Sequence, residues 1–328
     1  MNTKIVYVVT SNESDLYLDQ TLLSVYSLRK KEPSAIVELV TDKITNSTIK
    51  GKRAEILKYI NKKIVVDVPE KYNQVQTSRY IKTSLRQYIE GDFLFIDSDT
   101  IITDKLSDID FFEGSIGMVL NVHVPLDLQF DKNSIRKKIR QVGWTEMDDL
   151  PYYNSGIIFV KDDEKGHRFY QEWHNKWKET LKRHHFHYDQ PSLTVANAAL
   201  GFPVHELDGV WNCQIMNNGL PFLNHAKIIH YFANHAVTRK NADKAYLFHD
   251  NSLYTKIKEE GTIPPDVSQM IDDAKSAFVL PCRIAVGNEL PLLSNSLFKL
   301  SMSHSRIYKF FDFSAKIVLK LFSFVSKF

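Results

Sequence analysis

The chain lacks most of what marks a secreted or membrane-spanning protein. It has two cysteines in 328 residues, Cys213 and Cys282. A chain this long needs no covalent staple, so both are expected as free thiols in a reducing compartment. No stretch approaches the ~18 consecutive apolar residues of a spanning helix. "MNTKIVYVVT" carries one lysine and a short apolar run before polar "TSNESD", which is not the layout of a secretory leader. Net charge is nearly absent: 42 basic residues against 39 acidic leave +3, so no nucleic acid is called for as a partner. Internal repeats and low-complexity linkers are missing too. What remains is 43% hydrophobic and 25% charged, the balance of a folded protein with a full core, expected in the cytoplasm.

The first hundred residues alternate between two periodicities. "KIVYVV" (4–9), "AIVELVTD" (35–42), "KIVVDVP" (63–69) and "DFLFID" (92–97) read as buried strands. Between them, "LDQTLLSVYSLRKK" (18–31), "IKGKRAEILKYI" (49–60) and "TSRYIKTSLRQYI" (77–89) carry helical spacing, the last opening on a Thr/Ser cap. Continuous apolar strands alternating with helices predict an α/β fold, a mostly parallel central sheet flanked by helices. Further on, "SIGMVLNV" (115–122), "YYNSGIIFV" (152–160) and "KIIHYF" (227–232) are strand-like. "KGHRFYQEWHNKWKETLKR" (165–183) is an amphipathic helix with Phe169, Trp173 and Trp177 on one side, and a variable loop region with one basic helix fills 123–151. "GTIPPD" (261–266) divides a catalytic domain, 1–260, from a helical extension, 261–328.

Four features could carry chemistry. Asp97 and Asp99 end the fourth strand, where ligands of open parallel sheets bind, and residues two apart on extended chain face one side. Adjacent like charges repel unless a cation lies between them, and carboxylates suit Mg²⁺ or Mn²⁺; a solvated turn is the plainer alternative. "NSG" (154–156) breaks an apolar strand, as a site or as a β-bulge. Asp189 in "YDQPSL" precedes a Pro-started helix and is either a simple N-cap or a site residue. His230 sits in a short apolar strand, as a ligand or as a packed histidine. The three histidines of "RHHFHYD" (183–189) lack the thiols and spacing of a zinc site.

In order and spacing, these pieces resemble the GT-A fold glycosyltransferases, most closely family 8, which contains glycogenin and bacterial lipopolysaccharide galactosyltransferases. The matching segments are "VVTSNESDLYLDQTLLSVYSL", "SRYIKTSLRQYIEGDFLFIDSDTII", "YYNSGIIFVK", "HYDQPSLTVA", "LDGVWNCQ" and "AKIIHYFA", spanning roughly residues 4–240. The resemblance implies a GT-A, Rossmann-like fold for nucleotide-diphospho-sugar transfer. It makes Asp97 and Asp99 the D-x-D pair holding Mn²⁺ (or Mg²⁺) on the diphosphate, with His230 completing the metal site. Thr10, Asn12, Asp15 and Ser98 would meet the nucleotide, and Arg79 and Lys82 the diphosphate-sugar. Asn154 would hold sugar or acceptor, Asp189 the sugar hydroxyls, and Gln190 would lie near the anomeric carbon. The implied donor is a UDP-sugar, the acceptor a glycan or lipid-linked glycan, and the outcome retention. Where the family follows its histidine with Gly and Lys-Pro-Trp, this chain has "HYFANHAVTRK". Two alternatives stand beside this reading. One is an inverting GT-A transferase using an acid from "EMDDL" (146–150), the other a non-catalytic sugar-nucleotide-binding scaffold.

The tail, "SRIYKFFDFSAKIVLKLFSFVSKF" (305–328), has another character. Arg306, Lys309, Lys316, Lys320 and Lys327 fall within an arc of about 80° at 100° per residue, and nearly all else is apolar. Lysines along the whole length fit a helix lying in the interface of an anionic membrane, peripheral on the inner face of the cytoplasmic membrane. A helix packed on the body or a partner is the alternative.

Overall fold

The computed structural model describes residues 1–146, 150–231, 248, 250–278 and 304–325. Seven strands form the main sheet in the order β3-β2-β1-β4-β7-β6-β8. They are β1 (Lys4–Val9), β2 (Val37–Asp42), β3 (Lys62–Val66), β4 (Phe93–Ile96), β6 (Ile116–Leu120), β7 (Tyr153–Val160) and β8 (Val204–Glu206). Pairings β1–β2, β2–β3, β1–β4 and β6–β8 are parallel, and β7 runs antiparallel to both its neighbours. A second sheet of three strands joins β5 (Thr100–Ile102), β10 (Ile228–His230) and β9 (Cys213–Gln214).

Period-two alternation explains how one strand serves two cores. Ile5, Tyr7 and Val9 of β1 enter a cluster on one face, while Val6 and Val8 enter another on the opposite face. The first face is covered by α1 (Tyr17–Lys31) through Leu18, Leu22 and Val25, as its spacing predicts. The second is covered by α3 (Gln74–Thr83) and α5 (Glu164–His184), the latter through Phe169, Tyr170 and Trp173. Two short helices lie between, α2 (Lys43–Thr48) and α4 (Lys132–Gln141). The basic helix expected in 123–151 is α4, anchored by Ile135 and Ile139. Helix α6 (Gln190–Ala199) follows α5 with Pro191 in its first turn.

Three expectations shift. The segment 49–60 is a 3₁₀ helix, Gly51–Lys58, because Ile56 is its one fully buried side chain and no apolar stripe supports a longer α-helix. Helix α3 starts before the Thr77/Ser78 cap. Asn73 accepts from the Gln76 N–H and the Gln76 side chain answers to the Asn73 N–H, a capping box that claims an extra turn. The break after residue 260 also moves. Gly261 ends α7 (Asn251–Glu260) at φ 72° and α8 (Pro265–Asp272) follows, but Ile263, Val267, Ile271 and Phe278 belong to the same core as Leu253, Tyr254 and Ile257. "GTIPPD" is therefore a turn inside a unit that runs to Leu280, and the second unit is 281–328. Cys213 is a buried free thiol, and Cys282 lies outside the described residues.

Asp19 of α1 is 5% exposed. Burial pushes its carboxyl up to about 6, against the opposing pull of Arg53 and Lys258. Between the carboxylate pKa of an unfolded chain, about 4, and about 6, the native state keeps a proton that the unfolded chain has lost. Stability therefore falls as pH rises through that window, by about 2–3 kcal/mol in all from this group. Urea midpoints at pH 4.5 and 7.5 should show this decline in the wild type and a smaller one in Asp19→Asn.

Candidate active site

Strand β4 is fully buried, and its last hydrogen bond to β7 runs from the Asp97 N–H to the Gly156 carbonyl at 2.8 Å. Past Asp97 the chain leaves the main sheet. After Asp99 it enters β5, which pairs antiparallel with β10 so that Thr100 faces His230. The D-S-D segment is thus the junction where one strand changes sheets, and β10 brings His230 to it. The Tyr231 N–H donates to the Asp99 carbonyl at 3.1 Å, which locks the register. His230 Nε2 lies 3.2 Å from Asp99 Oδ1. Ligand atoms of Asp97, Asp99 and His230 all fall within 4.8 Å of one another, the one such group among the described residues. The other Asp99 oxygen, Oδ2, is buried with no hydrogen-bond partner. Burial pushes the Asp97 carboxyl up despite Lys82, and the Asp99 charge adds to the rise. At Asp99 the same burial is outweighed by His230 and by hydrogen bonds, so that carboxyl is held low. Two hard oxygens, one imidazole nitrogen and an orphaned buried carboxylate oxygen suit a divalent cation such as Mn²⁺ or Mg²⁺.

Of the two readings of the NSG tripeptide, the β-bulge is present. Pairing of β6 with β7 shifts between Met118 and Leu120, so the strand bulges there. A Cβ on Gly156 would stand 2.3 Å from His230 Cε1, so only glycine lets the imidazole lie against the strand. Asn154 is 6% exposed. Its Oδ1 accepts from the Gly156 N–H at 2.8 Å and from Asn212 Nδ2 at 3.0 Å. Asn212 Oδ1 in turn lies 3.0 Å from His230 Nδ1. Ser155 donates to Asp189 Oδ2 at 2.9 Å.

Asp189 precedes α6 but makes no side-chain cap bond, so capping is not its role. Its carboxylate faces Arg79 Nε at 3.3 Å and Lys82 Nζ at 3.5 Å. Burial alone would raise its pKa; Arg79, Lys82 and Ser155 outweigh it and hold the group down at about 2. Lys82 departs from expectation. Its side chain is 2% exposed, 3.3 Å from Asp97 Oδ1, and its ammonium stands 4.8 Å from the Phe95 ring centroid. Lys82 sits beneath the carboxylates and ties Asp97 to Asp189, while Arg79 lines the open side. Gln190 Nε2 donates to the Tyr153 carbonyl at 3.0 Å, which places Gln190 beside Asp189 at the NSG strand.

From Asp99 a cavity of about 300 Å³ extends past Ser98 and Arg79 to Thr10, Tyr17 and Gln74. Ser98 is fixed by the Thr21 hydroxyl at 2.8 Å. Asp15 is turned inward. One oxygen accepts from Ser11 Oγ at 2.6 Å and the other from the Asn12 N–H at 2.9 Å and Gln74 Nε2 at 2.6 Å. Gln74 also donates to the Thr10 carbonyl at 2.8 Å and accepts from Asn12 Nδ2 at 3.2 Å. Asp15 and Asn12 thus shape the loop, and Thr10 lies on the cavity wall. Lys258 of α7 donates to the Glu13 and Asp15 carbonyls, bracing the loop from behind. Sequence reasoning missed Tyr17, Gln74 and Asn212. Tyr17 and Asn212 lie within quoted segments, "DLYL" and "GVWN", but Gln74 precedes any motif. His184 and His185 are exposed, outside the described metal group, and "HAVTRK" with residues 147–149 lies outside the described residues.

A sheet of this order, with a carboxylate pair where one strand passes to a smaller sheet and a cavity running back to the first strand, defines a GT-A glycosyltransferase fold. The family model "Glycosyl transferase family 8" matches residues 8–235. The chain belongs to glycosyltransferase family 8 and is a glycosyltransferase. Its fold is similar to that of galactosyltransferase LgtC solved with donor and acceptor sugar analogs, at 14% identity, TM-score 0.54, over 81% of this chain and 99% of that one. It is likewise similar to an active-site mutant of LgtC, at 14% identity, TM-score 0.50, over 80% and 98%. No curated protein matches the chain in sequence.

Replacing Lys82 by Met keeps the length of the side chain and removes the charge between Asp97 and Asp189. Leaving buried carboxylates without their cation costs about 3–5 kcal/mol. The urea midpoint of Lys82→Met at pH 7.5 should fall by a matching amount, and added Mn²⁺ should recover part of it.

Proposed function

We propose that this glycosyltransferase moves a sugar from a nucleotide diphosphate sugar, a UDP-sugar, to a glycan or lipid-linked glycan, with Mn²⁺ or Mg²⁺ at Asp97, Asp99 and His230. The observation that carries this reading is the cavity joining that group to Thr10 and Tyr17. Its lining includes an aromatic ring, Tyr17, that a base could meet, and the carboxylate pair, Asp97 and Asp99, that could hold a cation on a diphosphate. A bound divalent ion would neutralise charge on the leaving diphosphate. Arg79 lines the same cavity and adds a fixed positive charge where the diphosphate would lie. Asp189, held ionised, can accept hydrogen bonds from sugar hydroxyls. Gln190 presents a neutral amide beside it.

Retention is part of the proposal. Asp189 is ion-paired with Arg79 and Lys82 and hydrogen-bonded by Ser155, which makes it a poor nucleophile, and the Gln190 amide is no better. This favours attack by the acceptor hydroxyl on the face the diphosphate leaves, over a covalent intermediate. An inverted product anomer would overturn it and bring back a base from 146–150.

The second unit supports a lipid-linked acceptor. Its described helix, α10 (Ser305–Val325), exposes Ile307, Phe310, Phe311, Phe313, Ile317 and Val318 alongside Arg306 and Lys309. No helix among the described residues is long and apolar enough to cross a membrane. We infer that α10 lies on the anionic cytoplasmic face of a membrane, with the enzyme acting in cell-surface polysaccharide or lipopolysaccharide synthesis. Sedimentation with vesicles should show binding that needs anionic lipid and weakens several-fold in Arg306→Glu/Lys309→Glu. Equal binding to neutral vesicles would sink this reading.

The donor is tested with a panel of UDP-sugars and Mn²⁺, following UDP release. One sugar should give metal-dependent release that Asp99→Ala reduces at least a hundredfold. Release that survives the substitution or the removal of metal would count against the assignment.

A further inference from the structure

A backbone N–H cannot turn around, and the Gly156 N–H therefore sets the direction of every polar group that follows it. It points at the Asn154 side chain from 2.8 Å, so the Asn154 atom there is the carbonyl oxygen. That oxygen also faces the Asn212 amide at 3.0 Å, and the Asn212 atom must be its NH₂. The Asn212 carbonyl oxygen is then the atom turned to His230 Nδ1, 3.0 Å away. Two acceptors cannot share a hydrogen bond without a proton, so Nδ1 carries it and donates. The other ring nitrogen, Nε2, stands 3.2 Å from Asp99 Oδ1 at the cation site. Asn212 is fully buried and His230 is 3% exposed, so water does not compete for these bonds.

We propose that Asn154 and Asn212 are positioning residues that hold His230 in its Nδ1–H tautomer and aim the Nε2 lone pair at the metal. This rests on the metal reading above and adds residues that never touch the ion. It also gives Asn154 a task other than holding sugar. Outer-shell partners of a metal-bound histidine fix its tautomer and orientation in this way, and their loss weakens metal binding about 10–100-fold.

The tautomer can be read without metal. In ¹⁵N-labelled, metal-free Asp99→Ala protein at pH 8 the Asp99 carboxylate no longer biases the ring, while the bond to Asn212 is kept. Long-range ¹H–¹⁵N correlations should show the His230 proton on Nδ1, and adding Asn212→Leu should move it to Nε2. A proton on Nε2 in Asp99→Ala itself overturns the proposal, whether or not the Leu variant folds. In the otherwise wild-type chain, Mn²⁺ affinity measured by EPR with UDP present should fall about 10–100-fold in Asn212→Leu. Unchanged affinity in a folded Asn212→Leu protein would also overturn it. A wild type that binds no Mn²⁺ would instead defeat the metal reading, which the metal-free spectrum separates from failure of the relay.

Discussion

Gathering three carboxylates in one place, Asp99 and Asp189 of them buried, is the constraint on which this structure turns. Asp97, Asp99 and Asp189 converge at the end of β4, and like charges about 4 Å apart in protein repel by about 4 kcal/mol. Lys82 answers two of them from below, Arg79 answers Asp189 from the open side, and His230 meets Asp99. The elements that deliver these partners are therefore as much part of the site as the acids. Helix α3 carries both Arg79 and Lys82, and its capping box at Asn73 sets where the helix begins. The sheet change between β4 and β5 places the pair Asp97 and Asp99 between main-sheet β7 and β10 of the small sheet.

The bulged tripeptide of β7 divides the work. Asn154 faces Asn212 and, through it, His230. Ser155 bridges Lys82 and Asp189. Gly156 supplies its carbonyl to Asp97 and leaves room for the imidazole. Three consecutive residues thus address three separate parts of one site. Alternation along the strand sends Asn154 and Gly156 toward His230 and Ser155 to the other side, toward Lys82 and Asp189.

Much of this was legible before the fold was known. Buried strands and amphipathic helices announce themselves by periodicity, so β1 to β4, α1 and α5 fall where the spacing places them. The position of Asp97 and Asp99 at a strand end followed from the same reading. What stayed hidden depends on long-range register. Gln74 has no local signature, and its bonds to Thr10 and Asp15 exist only once α3 packs over β1. The family resemblance implies that Lys82 meets the diphosphate; here the aromatic floor of Phe95 and two carboxylates hold it inside. Asp189 looked like a cap because its neighbours fit one, and only the approach of Arg79 and Lys82 shows the carboxylate turned away from its own helix. The Pro-rich turn at 261–266 looked like a boundary because turn chemistry is the same inside a unit as between units.

Lys258 reaches across the chain to the carbonyls of Glu13 and Asp15, and Lys52 likewise reaches the Glu259 carbonyl. The loop after β1 is among the first segments to leave the ribosome, yet its buttress is more than two hundred residues away in sequence. A nascent chain that has made β1 to β5 has Asp97 and Asp99 but not the brace that shapes the loop beside them. Closure of that contact is slow, because long-range pairing must meet the loop entropy first. The loop after β1 therefore gains its brace only once the chain has been made through α7.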